Sequence, residues 1–387
     1  IIKGPRRGIS FYGGKRNKVR ANIIKGRNIH YPADEGDVAQ ATVTGINFLT
    51  FGFLGTSKGI IGNEISGNHV SGVSEEAIGL DTNGDNAFDA AENQILAITT
   101  LHTVATDGGQ MVLTLTNATT KGGAAAPADW WDECYVNVLS GAAVGATAKI
   151  ISGTTSAAAN TAQLRIAGAQ ALALAPGDVI HISYGISFNN ITGNTVEQSM
   201  TGISLWGSAW HNTIANNTIK AISRGVMVAS VVAGYIPGAD ADGKSLGGVV
   251  GYSGPNRVHG NTIVMEYEGQ PTDHIRAVMA DCAPIVWGTW AYGTPSVGAH
   301  NPGAVITENS IVSGRDCRIG GPLFATQNAG AITMDGPLIA GNRQSGGGSF
   351  AINNTRGAFV GRNYKGLARQ DYNVGTSANN TALTTAA

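Results

Sequence analysis

A seven-residue stretch of this chain recurs 23 residues later: Asn190-Ile191-Thr192-Gly193-Asn194-Thr195-Val196 returns as Thr213-Ile214-Ala215-Asn216-Asn217-Thr218-Ile219. The match continues, because Gly202-Ile203-Ser204-Leu205 has the same spacing to Gly225-Val226-Met227-Val228. A fixed period in the twenties is typical of solenoids. Aliphatic and polar residues alternate within the repeat, as they do in strands with one buried face. The repeat therefore predicts coils of parallel strands.

The residues between these strands suit sharp turns. Asn and Gly occupy them, and both tolerate the left-handed backbone conformation better than most residues do. Asn side chains that stack from coil to coil can also hydrogen-bond to one another. Related fragments recur at Gly62–Val70, Val258–Val264 and Ile306–Val312, with weaker copies near Asn22, Asn342 and Asn363. We therefore predict an all-β chain, a parallel β-helix of about 23 residues per coil that runs nearly end to end.

Composition agrees with this fold and excludes some functions. The 387 residues include 55 glycines and only 13% charged residues, which suits a turn-rich β-structure. The formal net charge of −1 gives no reason to expect nucleic-acid binding. No stretch approaches the roughly 20 apolar residues of a membrane span. The chain has 3 cysteines, so disulfides are not expected to stabilise it, and it begins at Ile1, after processing or with residues missing upstream.

The repeat is broken first at residues 93–184, between N-terminal coils at 1–92 and the main β-helix at 185–370. The break contains five short alternating segments, which predict a small inserted β-barrel or sandwich. They are Met111–Leu115, Tyr135–Leu139, Ala148–Ile151, Gln163–Ile166 and Asp178–Ile182. The tail at 371–387 is small and polar, so it is expected to be flexible or bound to a partner.

Two parts of the chain resemble known families. The run Trp130–Gly153, closed by Ala175–Asp178, resembles a module of bacteriophage tail proteins in which a Trp precedes a strand, a Gly-rich turn leads to a Lys-Ile-Ile strand and a Pro-Gly-Asp turn begins the last strand. The coils resemble the right-handed β-helix superfamily of phage tailspikes, pectate lyases and periplasmic carbohydrate-binding repeats. Together these resemblances imply a virion tail-fibre or tailspike protein that is a homotrimer, contacts neighbouring tail proteins and recognises host surface polysaccharide.

A calcium-loop pattern lies at the start of the insertion. Oxygen ligands would come from loop positions one, three, five, seven, nine and twelve of an EF-hand-like loop. These positions are Asp81, Asn83, Asp85, Ala87 (through its carbonyl), Asp89 and Glu92. Asn86 replaces the usual glycine, and no helix is expected before the loop. The alternative is an acidic surface loop followed by a short helix. If Ca²⁺ binds, we expect it to stiffen the root of the insertion.

A second break, an excursion at residues 264–303, is rich in aromatic and carboxylate side chains. Sugar recognition uses flat apolar faces together with planar polar groups, so this segment is a candidate saccharide site. The candidate binding residues are Trp287, Trp290 and Tyr292, joined by Trp206, Trp210 and His211 from an earlier turn. Weak catalytic candidates are Glu266, Glu268, Asp273 and Asp281. The alternative is that these aromatics pack an excursion against the shaft or lie at a subunit interface.

Three functions remain open at this point. The leading prediction is a virion tail component that binds host glycan or has a structural role in the tail. The second is a tailspike depolymerase, a glycosidase or lyase that cleaves capsule or lipopolysaccharide with carboxylates on the shaft; Glu75 and Glu76 beside Asp81 are further carboxylates there. The third is a secreted, extracellular bacterial β-helix lyase or carbohydrate-binding protein.

Overall fold

The structure is a computed structural model, and it describes most of the chain. The described residues are 1–3, 7–27, 43–49, 59–81, 98–116, 131, 134–156, 158–159, 161–167, 172–183, 185–232, 249–251, 253–268, 283–291, 299–313, 317–319, 332–346, 350–352, 355–356, 359–361, 363–365, 368–369 and 381–382. They form strands and turns with no α-helix. Consequently, nothing in these ranges is a helix long and apolar enough to cross a membrane.

The strands fall into three groups along the chain. The N-terminal coils contain β1 Ile2–Lys3, β2 Arg7–Tyr12, β3 Gly14–Lys15, β4 Lys18–Arg20, β5 Ile23–Lys25, β6 Thr44–Leu49, β7 Ile60–Ile61, β8 Glu64–Ser66 and β9 His69–Asp81. The inserted unit contains β10 Ile98–Asp107, β11 Gln110–Thr116, β12 Tyr135–Val138, β13 Thr147–Ser156, β14 Thr161–Ile166 and β15 Val179–Ser183. The later coils contain β16 Ile186–Ser187, β17 Asn190–Thr192, β18 Thr195–Trp206, β19 Ala209–Trp210, β20 Thr213–Ala215, β21 Thr218–Val232, β22 Val249–Gly251, β23 Arg257–His259, β24 Thr262–Met265, β25 Ala283–Ala291, β26 Ala299–Pro302, β27 Val305–Thr307, β28 Ser310–Ser313, β29 Cys317–Ile319, β30 Ile332–Asp335, β31 Leu338–Ala340, β32 Arg343–Ser345, β33 Phe350–Ile352, β34 Thr355–Arg356, β35 Phe359–Gly361, β36 Tyr364–Lys365, β37 Ala368–Arg369 and β38 Thr381–Ala382.

The coils form a shaft of parallel sheets. A 16-stranded sheet, here called the long sheet, runs from β1 through β9, β18 and β21 to β37. The coils also contain a 9-stranded sheet of two- and three-residue strands, a 4-stranded sheet, β19-β16-β7-β3, and a 3-stranded sheet, β26-β30-β34. Equivalent strands pair in parallel on successive circuits, as β17 does with both β8 and β20. The predicted parallel β-helix is confirmed.

Buried asparagines join each coil to the next. Asn194 donates from its backbone N–H and from Nδ2 to Oδ1 of Asn217, at 2.9 Å each, and its Nδ2 also donates to the Ile65 carbonyl at 2.9 Å. Its own Oδ1 accepts two hydrogen bonds from Asn68. The same pattern makes two ladders: Asn17, Asn63, Asn189, Asn212 and Asn256; and Asn22, Asn68, Asn194, Asn217, Asn261, Asn309, Asn342 and Asn363.

A left-handed residue precedes most of the ladder asparagines. The backbone φ is 53° at Ala21, 56° at Asn216 and 57° at Glu308. Because this conformation turns the chain sharply, the next side chain can enter the shaft and its amide can lie along the stack. Inside the shaft, the central residue of β8, β17, β20, β23, β27 and β31 is a fully buried aliphatic side chain, and it stacks on its counterpart in the next coil, as Ile191 does on Ile214.

The coil length differs from the sequence expectation. Successive members of the longer ladder are 46, 126, 23, 44, 48, 33 and 21 residues apart. The 23-residue spacing is therefore that of a short coil, and longer coils add residues between strands without changing the pairing. The segment 264–303, expected to be an excursion, contains shaft strands: β25 pairs in parallel with β21 over eight residue pairs from Arg224↔Ala283 to Val232↔Ala291.

The insertion is a closed antiparallel barrel with strand order β10-β11-β14-β13-β12-β15. Its buried core includes Leu113, Trp131, Val136 and Leu164. The predicted barrel is confirmed, but the sequence did not reveal β10, whose Thr- and His-containing alternation is weak. The barrel also packs back on the shaft, because the Ser183 and Ser208 hydroxyls, one from β15 and one beside β19, lie 2.8 Å apart in a hydrogen bond.

We predict that the buried ladder accounts for much of the stability of the shaft. Asn194→Ala leaves the Asn68 backbone N–H and the Ile65 carbonyl without their partners in the core, so we expect it to destabilise the shaft by about 2–4 kcal/mol. The matched control is Asn190→Ala, four residues away on the exposed side of β17, which we expect to cost less than about 0.5 kcal/mol. Urea unfolding followed by circular dichroism measures both; equal losses would contradict a structural role for the ladder.

Candidate functional site

Two rows of side chains project outward from the long sheet where β2, β6, β9, β18 and β21 lie side by side. Their strand neighbours Phe48, Leu80 and Leu205 are fully buried in the shaft core, so the alternate residues face outward. The polar row is Ser10, Asn47, Gly79, Ser204 and Met227. The aromatic row is Tyr12, Leu49, Asp81, Trp206 and Ala229. Together these two rows are called the outer face.

The aromatic row places two rings on either side of a carboxylate. Tyr12 is 60% exposed, and Trp206 is partly buried. Asp81, also partly buried, is directly in register with Trp206 on the neighbouring strand. Three strand spacings separate Tyr12 from Trp206, which is about 14 Å at about 4.8 Å per strand. Of this row the sequence singled out Asp81 and Trp206, but for different sites, and it missed Tyr12.

The polar row contains buried side chains with unused hydrogen-bonding capacity. Asn47 is 5% exposed and Ser204 is 1% exposed, yet Asn47 Oδ1 and Ser204 Oγ have no hydrogen-bond partner among the described residues. Gly79 lies between them in register. An added Cβ at Gly79 would be 3.4 Å from the Glu76 Cβ, so the Glu76 side chain lies over this glycine. Buried polar atoms without partners are uncommon, and here they lie on the strands to either side of Gly79.

Burial and neighbouring negative charge change the protonation of the carboxyl groups here. Burial, reinforced by the charges of Glu75 and Asp81, raises the pKa of Glu76 to about 8. Burial also raises the pKa of Glu75, although the positive charge of Arg7 opposes the increase. Glu76 is therefore protonated at neutral pH and can donate a hydrogen bond. A neutral carboxylic acid therefore lies in the same strand as Asp81. From the sequence alone, Glu75 and Glu76 are only minor candidates for a catalytic role.

The outer face becomes apolar toward later coils. Met227, Ala229, Ala283 and Val286 form a buried hydrophobic cluster, and Trp206 packs against it. One side of the indole is therefore supported by apolar side chains while the polar row and Asp81 lie beside it. This support fixes the orientation of the ring, which lowers the entropic cost of stacking a ligand on it.

The other aromatic candidates lie elsewhere. Trp287 points into the shaft core with 4% exposure, because it occupies the register position of Val228. Trp210 is fully buried, with its ring centroid 6.4 Å from that of His181 in the barrel. Neither indole offers an exposed face for a sugar. Trp290 is in β25, where only its backbone is described, and Tyr292 lies outside the described residues.

His211 belongs to the contact between barrel and shaft. Its Nε2 is 2.9 Å from Thr147 Oγ1 of the barrel, and its ring stacks on Phe188 with centroids 5.4 Å apart. Phe188 in turn contacts Tyr135 of the barrel at a centroid distance of 5.8 Å. Burial lowers the pKa of His211, so the imidazole is neutral at this junction at neutral pH. The arrangement gives His211 a docking role.

The carboxylates proposed from the second break are ion-paired or undescribed. Lys220 Nζ lies 3.2 Å from Glu266 Oε1 and also pairs with Glu268. Both carboxylates are exposed at the surface beside β21, and they share one ammonium group. Asp273 and Asp281 lie outside the described residues.

The calcium prediction remains a prediction. Asp81 is the only described member of the proposed loop and ends β9. The other members, Asn83, Asp85, Ala87, Asp89 and Glu92, fall outside the described residues. Elsewhere in the described part of the chain, no group of three or more His, Cys, Asp or Glu side chains could hold a metal ion.

We predict that Glu76 makes stability fall as pH rises. Between pH 4.5 and about 8, the unfolded chain carries an ionised Glu76 while the folded chain keeps it protonated, so the free energy of unfolding decreases across this window. Glu76→Gln removes this effect. We expect the variant to melt about 2 °C above the native protein at pH 8.5 and at the same temperature at pH 4. Thermal melts at both pH values test this, and an identical difference at both would contradict it.

One protein family matches part of the chain. The model of a family described as periplasmic copper-binding protein (NosD) matches residues 146–271. This range is about a third of the chain; it begins inside the barrel, just before β13, and continues through the coils of β16–β24, and the family is one of right-handed β-helices. No curated protein matches the chain. Because the described residues contain no metal-ligand group, no copper chemistry is assigned to them. The match agrees with the right-handed β-helix fold and shows similarity to a periplasmic family.

Proposed function

We propose that this chain is an extracytoplasmic β-helix protein that binds polysaccharide along its outer face. The observation that carries the proposal is the aromatic row, in which Tyr12 and Trp206 flank Asp81 in register. The similarity to a periplasmic family supports a location outside the cytoplasm. The long, parallel arrangement of strands supports an extended ligand rather than a small one.

The chemistry of the outer face suits a sugar chain. An indole or phenol ring stacks against the C–H face of a pyranose, while carboxylate and amide groups hydrogen-bond to the hydroxyls. Trp206 and Asp81 provide these two kinds of contact side by side on neighbouring strands. Since Tyr12 lies about 14 Å from Trp206, an oligosaccharide rather than one ring would contact both.

A virion setting remains a prediction. The run that resembles a module of phage tail proteins lies in the barrel, but neither the barrel nor the family match bears on virion assembly. The predictions of a homotrimer, of contacts with neighbouring tail proteins and of host surface glycan as the ligand therefore also remain untested. The similarity to a periplasmic family favours a secreted bacterial carbohydrate-binding protein over a tail fibre.

Glycan cleavage is a second candidate function, favoured by Glu76. A general acid at neutral pH must be a carboxyl group whose pKa is raised, with a second carboxylate available nearby. Glu76 has a pKa of about 8 and lies in the same strand as Asp81. In this candidate mechanism Glu76 protonates the leaving glycosidic oxygen and Asp81 acts as nucleophile or activates water.

We predict that Trp206→Ala weakens polysaccharide binding about five-fold, since losing one stacking ring costs about 1 kcal/mol. Tyr12→Ala is expected to have a similar effect. Affinity electrophoresis through gels containing purified capsular polysaccharide or lipopolysaccharide from Gram-negative bacteria measures the change. Leu338→Ala is the control, because Leu338 is a 37% exposed hydrophobic residue on another sheet. Equal retardation of the native protein and the Trp206 and Tyr12 variants would exclude the outer face as the binding surface.

If the second candidate is correct, the native protein shortens the polysaccharide it binds and Glu76→Gln does not. The Gln side chain keeps the shape of Glu76 but cannot release a proton to the leaving group. Size-exclusion chromatography of the polysaccharide and an assay for new reducing ends give the readout. Unchanged chain length after prolonged incubation with native protein rules out hydrolysis of that polysaccharide and leaves binding as the function.

A further inference from the structure

A positively charged cleft lies where the barrel meets the N-terminal coils. It has a volume of about 290 Å³ and is lined by Lys15, Arg16 and Ile61 from the shaft and by Tyr135 and Lys149 from the barrel. Pockets for small ligands begin at about 300 Å³, so the cleft has room for one or two sugar rings. It lies on a different sheet from the outer face, and none of its lining residues belongs to either outward row.

The cleft exists because one coil lacks a side chain at a turn. Four successive turns present a residue at the same left-handed position: Arg16 (φ 55°), Gly62 (φ 67°), Phe188 (φ 60°) and His211 (φ 56°). Phe188 and His211 fill the space under the barrel by contacting Tyr135 and Thr147. At Gly62 an added Cβ would meet only the Arg16 Cγ, at 3.6 Å. The missing side chain therefore opens the space between Arg16 and the barrel.

The barrel contacts also hold the two walls at a fixed distance. Tyr135 lines the cleft and at the same time contacts Phe188, whose ring stacks on His211. The hydrogen bond from His211 to Thr147 lies two residues from Lys149 in the same strand, β13. Because these contacts fix Tyr135 and β13 against the shaft, the two walls of the cleft are held in place by the fold itself, which lowers the cost of binding.

The charged side chains described in the lining of the cleft are all positive. Lys15, Arg16 and Lys149 are all exposed cations, and none of the described lining residues is acidic. Arg16 and Lys149 have no ion pair within the part of the chain that the structure describes. By contrast, Arg20 on the next strand pairs with Glu64. The net charge of the whole chain is −1, so three adjacent cations are a local feature rather than an overall basic surface.

We propose that this cleft binds an acidic sugar residue of a glycan chain, with its carboxylate held by Arg16 and Lys149 and its ring against Tyr135 and Ile61. A guanidinium presents paired donors that match a carboxylate, and an ammonium adds a second positive charge. The phenol ring and the aliphatic side chain supply the apolar surface that a pyranose face requires. A nucleic acid is a poorer fit, because the three cations are confined to one small cleft and do not form an extended track.

The test compares two disaccharides that differ in one carboxylate. Calorimetric titration with cellobiouronic acid, a glucuronic acid–glucose disaccharide, is expected to show binding that weakens as NaCl rises from 50 to 500 mM, whereas cellobiose binds at least ten-fold more weakly. Lys149→Glu should weaken cellobiouronic acid binding at least ten-fold. Lys25→Glu is the matched control, since Lys25 is an exposed lysine of β5 that does not line the cleft, and it should leave binding unchanged.

A second variant keeps the test independent of charge reversal. Gly62→Asn fills the floor of the cleft at a φ that Asn adopts readily, and we expect it to abolish binding while the melting temperature stays close to that of the native protein. Absence of cellobiouronic acid binding at millimolar concentration, equal binding of cellobiose, or equal binding of inorganic phosphate would each overturn the proposal. Trp206→Ala should leave this binding intact, so failure of the outer-face site and failure of the cleft are distinguishable.

Discussion

The hydrogen bonds between stacked, buried asparagines are the constraint on which the rest of this structure depends. Each amide joins its own coil to both neighbours, since Asn194 accepts from Asn68, donates to Asn217 and donates to the carbonyl of Ile65. These bonds lie in the core, where leaving a donor or acceptor without a partner is costly. A slip of one residue in any coil would break them and also turn the aliphatic side chains outward.

Fixed register has a direct consequence for the surface. Successive ladder asparagines are as few as 21 and as many as 126 residues apart in sequence. The strands of these coils still pair with each other, despite the large difference in coil length. Side chains that are far apart in sequence therefore align across the long sheet. Tyr12, Asp81 and Trp206 form one row in this way, and Asn47 and Ser204 belong to the next. Variation in coil length can add whole structures without disturbing these rows.

The barrel illustrates that freedom and adds chemistry of its own. It is inserted between Asp81 and Ile186, yet it closes as an independent antiparallel unit with its own core. Its return to the shaft depends on aromatic and polar contacts at one line of turns, where Phe188 and His211 present side chains and Gly62 does not. The two proposed binding surfaces thus have different origins: one is a property of the sheet, and the other is a property of the junction.

The sequence by itself determined the parallel β-helix and the presence of an inserted β-unit, because both depend on local alternation and on a repeat that can be counted. It also marked Trp206 and Asp81, although for separate sites. Only the tertiary structure decided that Trp287 faces the core, since register through a variable-length coil cannot be read from spacing. The same holds for the raised pKa of Glu76 and for the cationic cleft: burial and charge proximity arise between residues that meet only when the coils stack and the barrel docks.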